Sequence, residues 1–405
     1  MEVLVADARP GIGKTSAAIN YINESSHDER FLFITPFLSE GERIKNACPA
    51  REFVSPEGLS HSKLMDIKEQ IREGRNIVST HALFMNFDRE IVESIEASGY
   101  TLIIDEAPNL VSECEVTPQD YNVLMERFVV ADGQGKVIWT DEEYEGRYSV
   151  YKGMCELDSL YLLNNNKFIW MMSPNVFKAF RRVYIMTYLF DAQISRCYFD
   201  ATGIPWRKIY IEGGSLDTYR FTEVPQKYVT PRFKELIHIC DDEKLNKIGD
   251  HRSALSKNWF ATTSDKTIVQ LKNNVRNFFI NKMRSKSGQN LWTTFKDSRA
   301  RLSGKGYTLG FLPCNARATN EYRNRTYMAY AINIFPNPIY KQFFSRYGVV
   351  VHDDLYAVSE MVQWVWRSAI RDNKEVWLYV PSSRMRGLFT DWLNEVCTEG
   401  GENNG

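Results

Sequence analysis

Along the chain, short apolar runs alternate with stretches of helical spacing. The runs Val3 to Ala6, Phe31 to Pro36, Ile77 to His81, Thr101 to Glu106 and Val183 to Thr187 are apolar at successive positions. That pattern suits strands buried on both faces, as parallel strands are. Ser16 to Ile22 and Ser39 to Ile44 carry helical character between them. Strands alternating with helices predict an α/β fold with a parallel, doubly wound sheet. The marked polar residues Lys14, Thr35, Thr80 and Asp105 fall at the carboxyl ends of the strands, where such sheets bind ligands. The second half repeats the rhythm, with strands expected at Asn290 to Thr294, Tyr307 to Leu312 and Val376 to Val380. The spacing of Met361, Val365 and Ala369 predicts a helix from Ala357 to Ile370. Gln363, Arg367 and Arg371 lie on its other face, with the two arginines one turn apart. Residues 111–180 are less regular. Val137 to Trp139 and Tyr148 to Tyr151 read as a hairpin, Cys155 to Leu163 as helical, and Phe168 to Met172 as a strand or helix start. The expected division is a first domain over 1–204, a linker region over 205–234, a second domain over 235–397 and a flexible tail over 398–405. Gly213-Gly214, Pro225 and Pro231 mark the linker.

The first apolar run leads straight into Ala8-Arg9-Pro10-Gly11-Ile12-Gly13-Lys14-Thr15, a Walker A pattern with alanine in the place of its first glycine. Glycines let successive backbone N–H groups curl around a phosphate, and lysine reaches the β- and γ-phosphates. The threonine hydroxyl ligates Mg²⁺, and the new helix points its positive end at the anion. Pro10, Gly11, Ile12, Gly13, Lys14, Thr15 and Ser16 are therefore the expected nucleotide contacts. Asp105-Glu106 closes a later apolar run as a Walker B pattern. Its aspartate would hold Mg²⁺ with Thr15, and Glu106 would orient and deprotonate the attacking water. ATP and Mg²⁺ are the expected cofactors. Arg367 and Arg371 in the second half read plainly as a solvated helix face; in the second domain of a P-loop ATPase such a pair has another use, as arginine fingers on the γ-phosphate.

Composition narrows the class. The 405 residues are 43% hydrophobic and 25% charged, which is globular, and the length suits two domains. No apolar stretch approaches the ~20 residues of a membrane span, and no targeting segment is expected before the first strand. The seven cysteines are scattered without a C-x-x-C pair, which argues for reduced thiols in a cytoplasm. A net charge of −1 conceals an asymmetry: residues 1–150 hold 14 Lys/Arg against 27 Asp/Glu, while 251–346 hold 17 against three. That basic segment contains Trp259, Phe260, Trp292, Phe295 and Tyr307, a mixture suited to a polyanion whose bases stack. A solvated face pairing with the acidic half is the plainer reading of the same charges.

With these motifs in order, the chain resembles a superfamily 2 helicase of the DExx kind, and especially the short helicases of tailed-phage genomes. Ala8 to Thr15 matches motif I, Thr35-Pro36 motif Ia, Ser79 to Leu83 the threonine-containing strand end, and Asp105 to Pro108 motif II. Thr187 with Tyr188 sits where motif III belongs. Trp292 to Phe295 looks like motif IV, Asn315 to Asn320 like motif V, and Gln363 to Arg371 like motif VI with Trp366 replacing a glycine. The resemblance implies two RecA-like domains with ATP in a cleft between them. It further implies catalytic roles for Glu106, Gln363, Arg367 and Arg371, and a nucleic-acid grip at Thr35, Pro36, Thr80, Thr293, Arg317, Thr319 and Asn320. It implies a monomeric ATP-dependent helicase or translocase in the (host) cytoplasm, on DNA rather than RNA, away from membranes and working beside replication or recombination proteins. The adenine-reading motif of the family is not expected before motif I, so the resemblance gives no basis for adenine specificity and other NTPs are expected to be accepted as well. A packaging motor of the terminase type and a nucleotide-dependent switch without unwinding are the alternatives.

Overall fold

The computed structural model describes residues 1–58, 62–226, 232–315 and 321–399. The chain forms two compact units, Met1–Gln226 with Asn337–Val351 and Lys227–Pro336 with His352–Gly405.

The first unit is built on β1 (Val3–Asp7), β2 (Phe31–Thr35), β3 (Ile77–Thr80) and β4 (Thr101–Asp105). A middle segment follows with β5 (Val111–Glu113), β6 (Val129–Ala131), β7 (Val137–Trp139), β8 (Leu160–Leu163) and β9 (Lys167–Met171). The chain then rejoins the main sheet through β10 (Arg182–Thr187), β11 (Trp206–Glu212) and β12 (Arg220–Thr222). The main sheet has the order β12-β11-β1-β10-β4-β2-β3, parallel except for β12. Its inner strands are apolar because both faces are covered: Phe31, Leu32, Phe33, Ile34, Leu102, Ile103 and Ile104 are fully buried.

Four expectations change in this unit. The stretch read as linker carries β11, which pairs with β1, and β12, which folds back on it; the glycines mark the turn between them rather than a boundary. Val137–Trp139 pairs with Val129–Ala131 instead of with Tyr148 to Tyr151. Asp132 nucleates that hairpin, its Oδ1 accepting from the backbone N–H of Gln134 (2.9 Å) and Lys136 (2.8 Å). Tyr148 caps the helix Ser149–Glu156, and the expected helix from Cys155 ends there, giving way to β8. Finally, Asn337–Val351, expected in the second domain, packs with the first unit: Phe343 meets the Tyr161 ring at 5.6 Å, and Arg346 donates to the Leu162 carbonyl (2.7 Å).

The middle segment has its own core of Leu124, Val129, Leu160, Leu162 and Phe168, with β5, β9 and β8 antiparallel. The second unit carries β13 (Ile237–Ile239), β14 (Asn290–Thr293), β15 (Tyr327–Tyr330) and β16 (Val376–Tyr379), a parallel sheet in the order β13-β16-β15-β14. Tyr307 to Leu312 is not a strand. It makes a 3₁₀ turn over Thr308–Gly310 and touches β14 by a single bridge at Phe311, because Tyr307 turns inward and donates to the Leu302 carbonyl (2.6 Å). The unexpected β15 takes its place beside β14. The last helix, Ser383–Glu399, runs through the first residues of the expected tail. Among the described residues, no helix is long and apolar enough to cross a membrane.

Candidate functional site

The Walker A loop leaves the end of β1 and enters the helix Lys14–Glu24. Gly11 and Gly13 hold φ +90° and +91°, the left-handed region where side chains are strained. Gly13 is the N-cap and no side chain caps the helix, so its first N–H groups face the loop's concavity. Ser16, Ala17, Ala18 and Ile22 bury the opposite face and fix the helix on the sheet. The Lys14 ammonium folds back onto the carbonyls of Ala8 and Arg9 (3.3 Å to the latter). Gly11 has open space where a side chain would stand. An open glycine loop, a helix start without a side-chain cap and a lysine ammonium folded over the loop carbonyls are features that a polyphosphate would fit.

The Asp105-Glu106 pair reaches the same edge of the sheet. One strand, β10, separates β1 from β4, a spacing of about 10 Å between strand axes. Backbone bonds lock the three ends together. The Ala8 N–H donates to the Thr187 carbonyl (3.1 Å), and the Glu106 N–H donates to the Met186 carbonyl (2.9 Å). Desolvation pushes the Asp105 carboxyl up to about 7; the Glu106 charge adds to the rise and Lys14 opposes it. Glu106 takes φ +63°, unusual for a residue with a side chain, and its Oε2 is buried without a hydrogen-bond partner among the described residues. A buried carboxylate oxygen without a partner is costly, so this one marks Glu106 as a candidate functional group. Among the described residues, no group of three or more His, Cys, Asp or Glu gathers to hold a metal. Mg²⁺ needs no such cage, since one carboxylate, a hydroxyl, phosphates and waters suffice.

Two neighbours of the site escaped the sequence reading. Asp7, the last residue of β1, accepts from the Phe190 N–H (3.1 Å) and pairs with Lys208 of β11 (3.4 Å). Burial raises its carboxyl while Lys208 holds it down. His81 binds the Asp105 carbonyl through Nε2 (3.0 Å). A polar residue closing an apolar run was the only available signal for Asp7, and adjacency to Thr80 the only one for His81.

The remaining candidates divide. Thr35 ends β2 with its Oγ1 buried and without a partner among the described residues, next to Pro36. Thr80 caps the short helix His81–Phe84, its hydroxyl accepting from the Leu83 N–H (3.3 Å). In the second unit, Thr293 closes β14 with a buried Oγ1 that also lacks a partner among the described residues. Arg317, Thr319 and Asn320 lie outside the described residues. The helix carrying Gln363 is Asp353–Val365, which begins and ends earlier than the expected Ala357 to Ile370. Trp366 ends it by turning into an aromatic pocket against Phe233 (4.8 Å) and Trp392 (5.4 Å), and Ser368 caps a 3₁₀ turn over Ala369–Asp372. Arg367 and Arg371 therefore do not share a helix face: Arg367 is half-buried past the helix end, and Arg371 is exposed on the turn. Gln363 reaches Ser359 within the helix (3.4 Å).

The expected stacking aromatics also change role. Trp292, Tyr307 and Phe260 are buried in the second unit's core, Trp292 against Tyr307 (5.2 Å) and Phe311 (5.0 Å). Trp259 and Phe295 are partly buried against the same core. The charge remains outside: Lys257, Lys266, Arg276, Arg284, Lys286 and Lys305 are all exposed.

Comparison with known proteins gives the following. Residues 111–170 match the family described as the YonV middle domain, and residues 231–393 match the YonV C-terminal Rossmann-like domain. The chain is 40% identical to the SPbeta prophage-derived uncharacterized protein YonV of Bacillus subtilis (strain 168), over 96% of this chain and 98% of that one. Among solved structures, it is similar to Xpd4 of S. tokodaii, with a TM-score of 0.46, 12% identity, and coverage of 96% of this chain and 94% of the other. It is also similar to the DUF1998 helicase MrfA bound to DNA and AMPPNP, with a TM-score of 0.37, 12% identity, and coverage of 98% of this chain and 48% of the other.

Proposed function

The chain belongs to the YonV family, and we propose that it is an ATP-dependent helicase or translocase of superfamily 2 type, acting on DNA. The observation that carries the reading is the meeting of the glycine loop and the Asp105-Glu106 pair at one edge of a parallel sheet, around the single intervening strand β10. Lys14 and the N–H groups of residues 11–16 would hold the β- and γ-phosphates of ATP. Thr15 and Asp105 would hold Mg²⁺, which supplies charge neutralisation on the phosphates when bound. Glu106 would orient the water that attacks the γ-phosphorus and accept its proton, releasing ADP and phosphate. Gln363, Arg367 and Arg371 remain in the proposal as second-unit groups whose loss slows turnover. The exposed lysines and arginines of the second unit support a phosphodiester track, gripped without regard to base sequence.

The test is a comparison of nucleotide binding with turnover in two variants. Lys14→Ala should lose ATP binding and hydrolysis together. Glu106→Gln should bind ATP as the wild type does while hydrolysis falls roughly a hundredfold or more. Unimpaired hydrolysis in Glu106→Gln would remove the catalytic assignment.

A further inference from the structure

The hairpin β11–β12 places an aromatic ring on the nucleotide loop. β11 runs parallel to β1 and pairs with it as far as Ala6↔Ile209, then continues past it through Tyr210, Ile211 and Glu212, paired with β12 alone. The overhang projects at the carboxyl ends of the strands, the edge from which the glycine loop leaves. Its tip is fixed in several ways. Gly213 holds φ +105°, and a side chain there would lie 2.4 Å from the Thr218 carbonyl oxygen, so the turn closes tightly. The Thr218 hydroxyl accepts from the N–H groups of Gly214 (3.1 Å) and Ser215 (3.0 Å). Asn20, on the helix that follows the loop, donates to the carbonyls of Leu216 (2.8 Å) and Tyr219 (3.0 Å). Arg220 pairs with Glu24 of the same helix, and Phe221 stacks on Tyr184 at 5.1 Å.

Within this frame the Tyr219 ring lies over Gly13. A methyl group on Gly13 would stand 2.6 Å from each of Cγ, Cδ2 and Cε2 of Tyr219. Three adjacent ring atoms at one distance mean that the ring meets the loop broadside rather than by its hydroxyl tip. One face of the ring is set against the loop, and Tyr219 as a residue is only half-buried. We propose that Tyr219 is the base-contacting residue of this site, stacking the nucleobase of the bound nucleoside triphosphate. The inference rests on the nucleotide-loop reading above. A stacked base is recognised by its face, so the contact adds affinity without reading the base's hydrogen-bonding edge.

The test titrates the full-length protein, in Mg²⁺, with ATP and separately with inorganic tripolyphosphate. Wild type should bind ATP more tightly than tripolyphosphate. Tyr219→Ala should weaken ATP by about tenfold, the scale of one lost base–aromatic stack, and leave tripolyphosphate unchanged. Tyr219→Phe should keep both affinities, because the ring and not the hydroxyl makes the contact. If Tyr219→Ala weakened both ligands equally, the ring would merely support the loop, and the proposal would fail. It would fail also if wild type bound both ligands equally. Wild type binding neither would instead overturn the phosphate-loop reading beneath it.

Discussion

Gly13 carries two requirements at once: a left-handed backbone at the N-cap of the helix, and no side chain under the Tyr219 ring. Gly13→Ala should therefore destabilise the loop as well as weaken nucleotide binding, which a thermal melt with and without ATP would separate. Asp105 makes a second prediction at this scale. Its carboxyl is raised to about 7 in the fold against about 3.8 when free, so between those values the folded protein binds more protons than the unfolded. Stability of the nucleotide-free protein should then fall as pH rises through that window. Asp105→Asn, which removes the buried charge, should raise the melting temperature more at pH 8 than at pH 5, and an equal effect at both would contradict the desolvation account. At this scale the glycine loop and the Asp105-Glu106 pair were legible as contiguous residues that close two apolar runs, and both lie at one edge of the main sheet. Tyr219, more than 200 residues away, was not: only the pairing of β11 with β1 brings it to the loop.

Among elements, the continuous apolar strands were the readable ones, since burial on both faces leaves one pattern. Errors gathered where a side chain's partner decides the backbone. The expected hairpin at 137–151 slipped one strand because Asp132, through its own turn hydrogen bonds, closes the chain earlier. Tyr307 and Trp292 looked like surface aromatics in a basic segment, yet their rings meet at 5.2 Å in the core. The end of the helix Asp353–Val365 is set by Trp366, and spacing alone could not show that its indole turns inward against Phe233 and Trp392. Trp366→Gly should destabilise the second unit by about 3–5 kcal/mol through lost burial. Denaturant unfolding followed by tryptophan fluorescence would measure it, and a change within ~0.5 kcal/mol would mean that the pocket is not holding the helix end.

For the whole molecule, the chain forms two compact units whose course was not legible in the sequence. The segment Asn337–Val351 leaves the second half of the chain to pack with the first unit, which no composition shift announces. Function at this scale turns on whether nucleotide turnover answers to nucleic acid. If the exposed basic residues of the second unit grip phosphates, binding should weaken steeply with salt and be nearly indifferent to sequence. The most direct measurement is ATP turnover by the purified protein, alone and with single-stranded DNA, forked or duplex DNA, and RNA, with Glu106→Gln beside it. Turnover should rise with DNA and be lost in the variant. Turnover that is the same with every nucleic acid would leave an ATPase standing and contradict the motor.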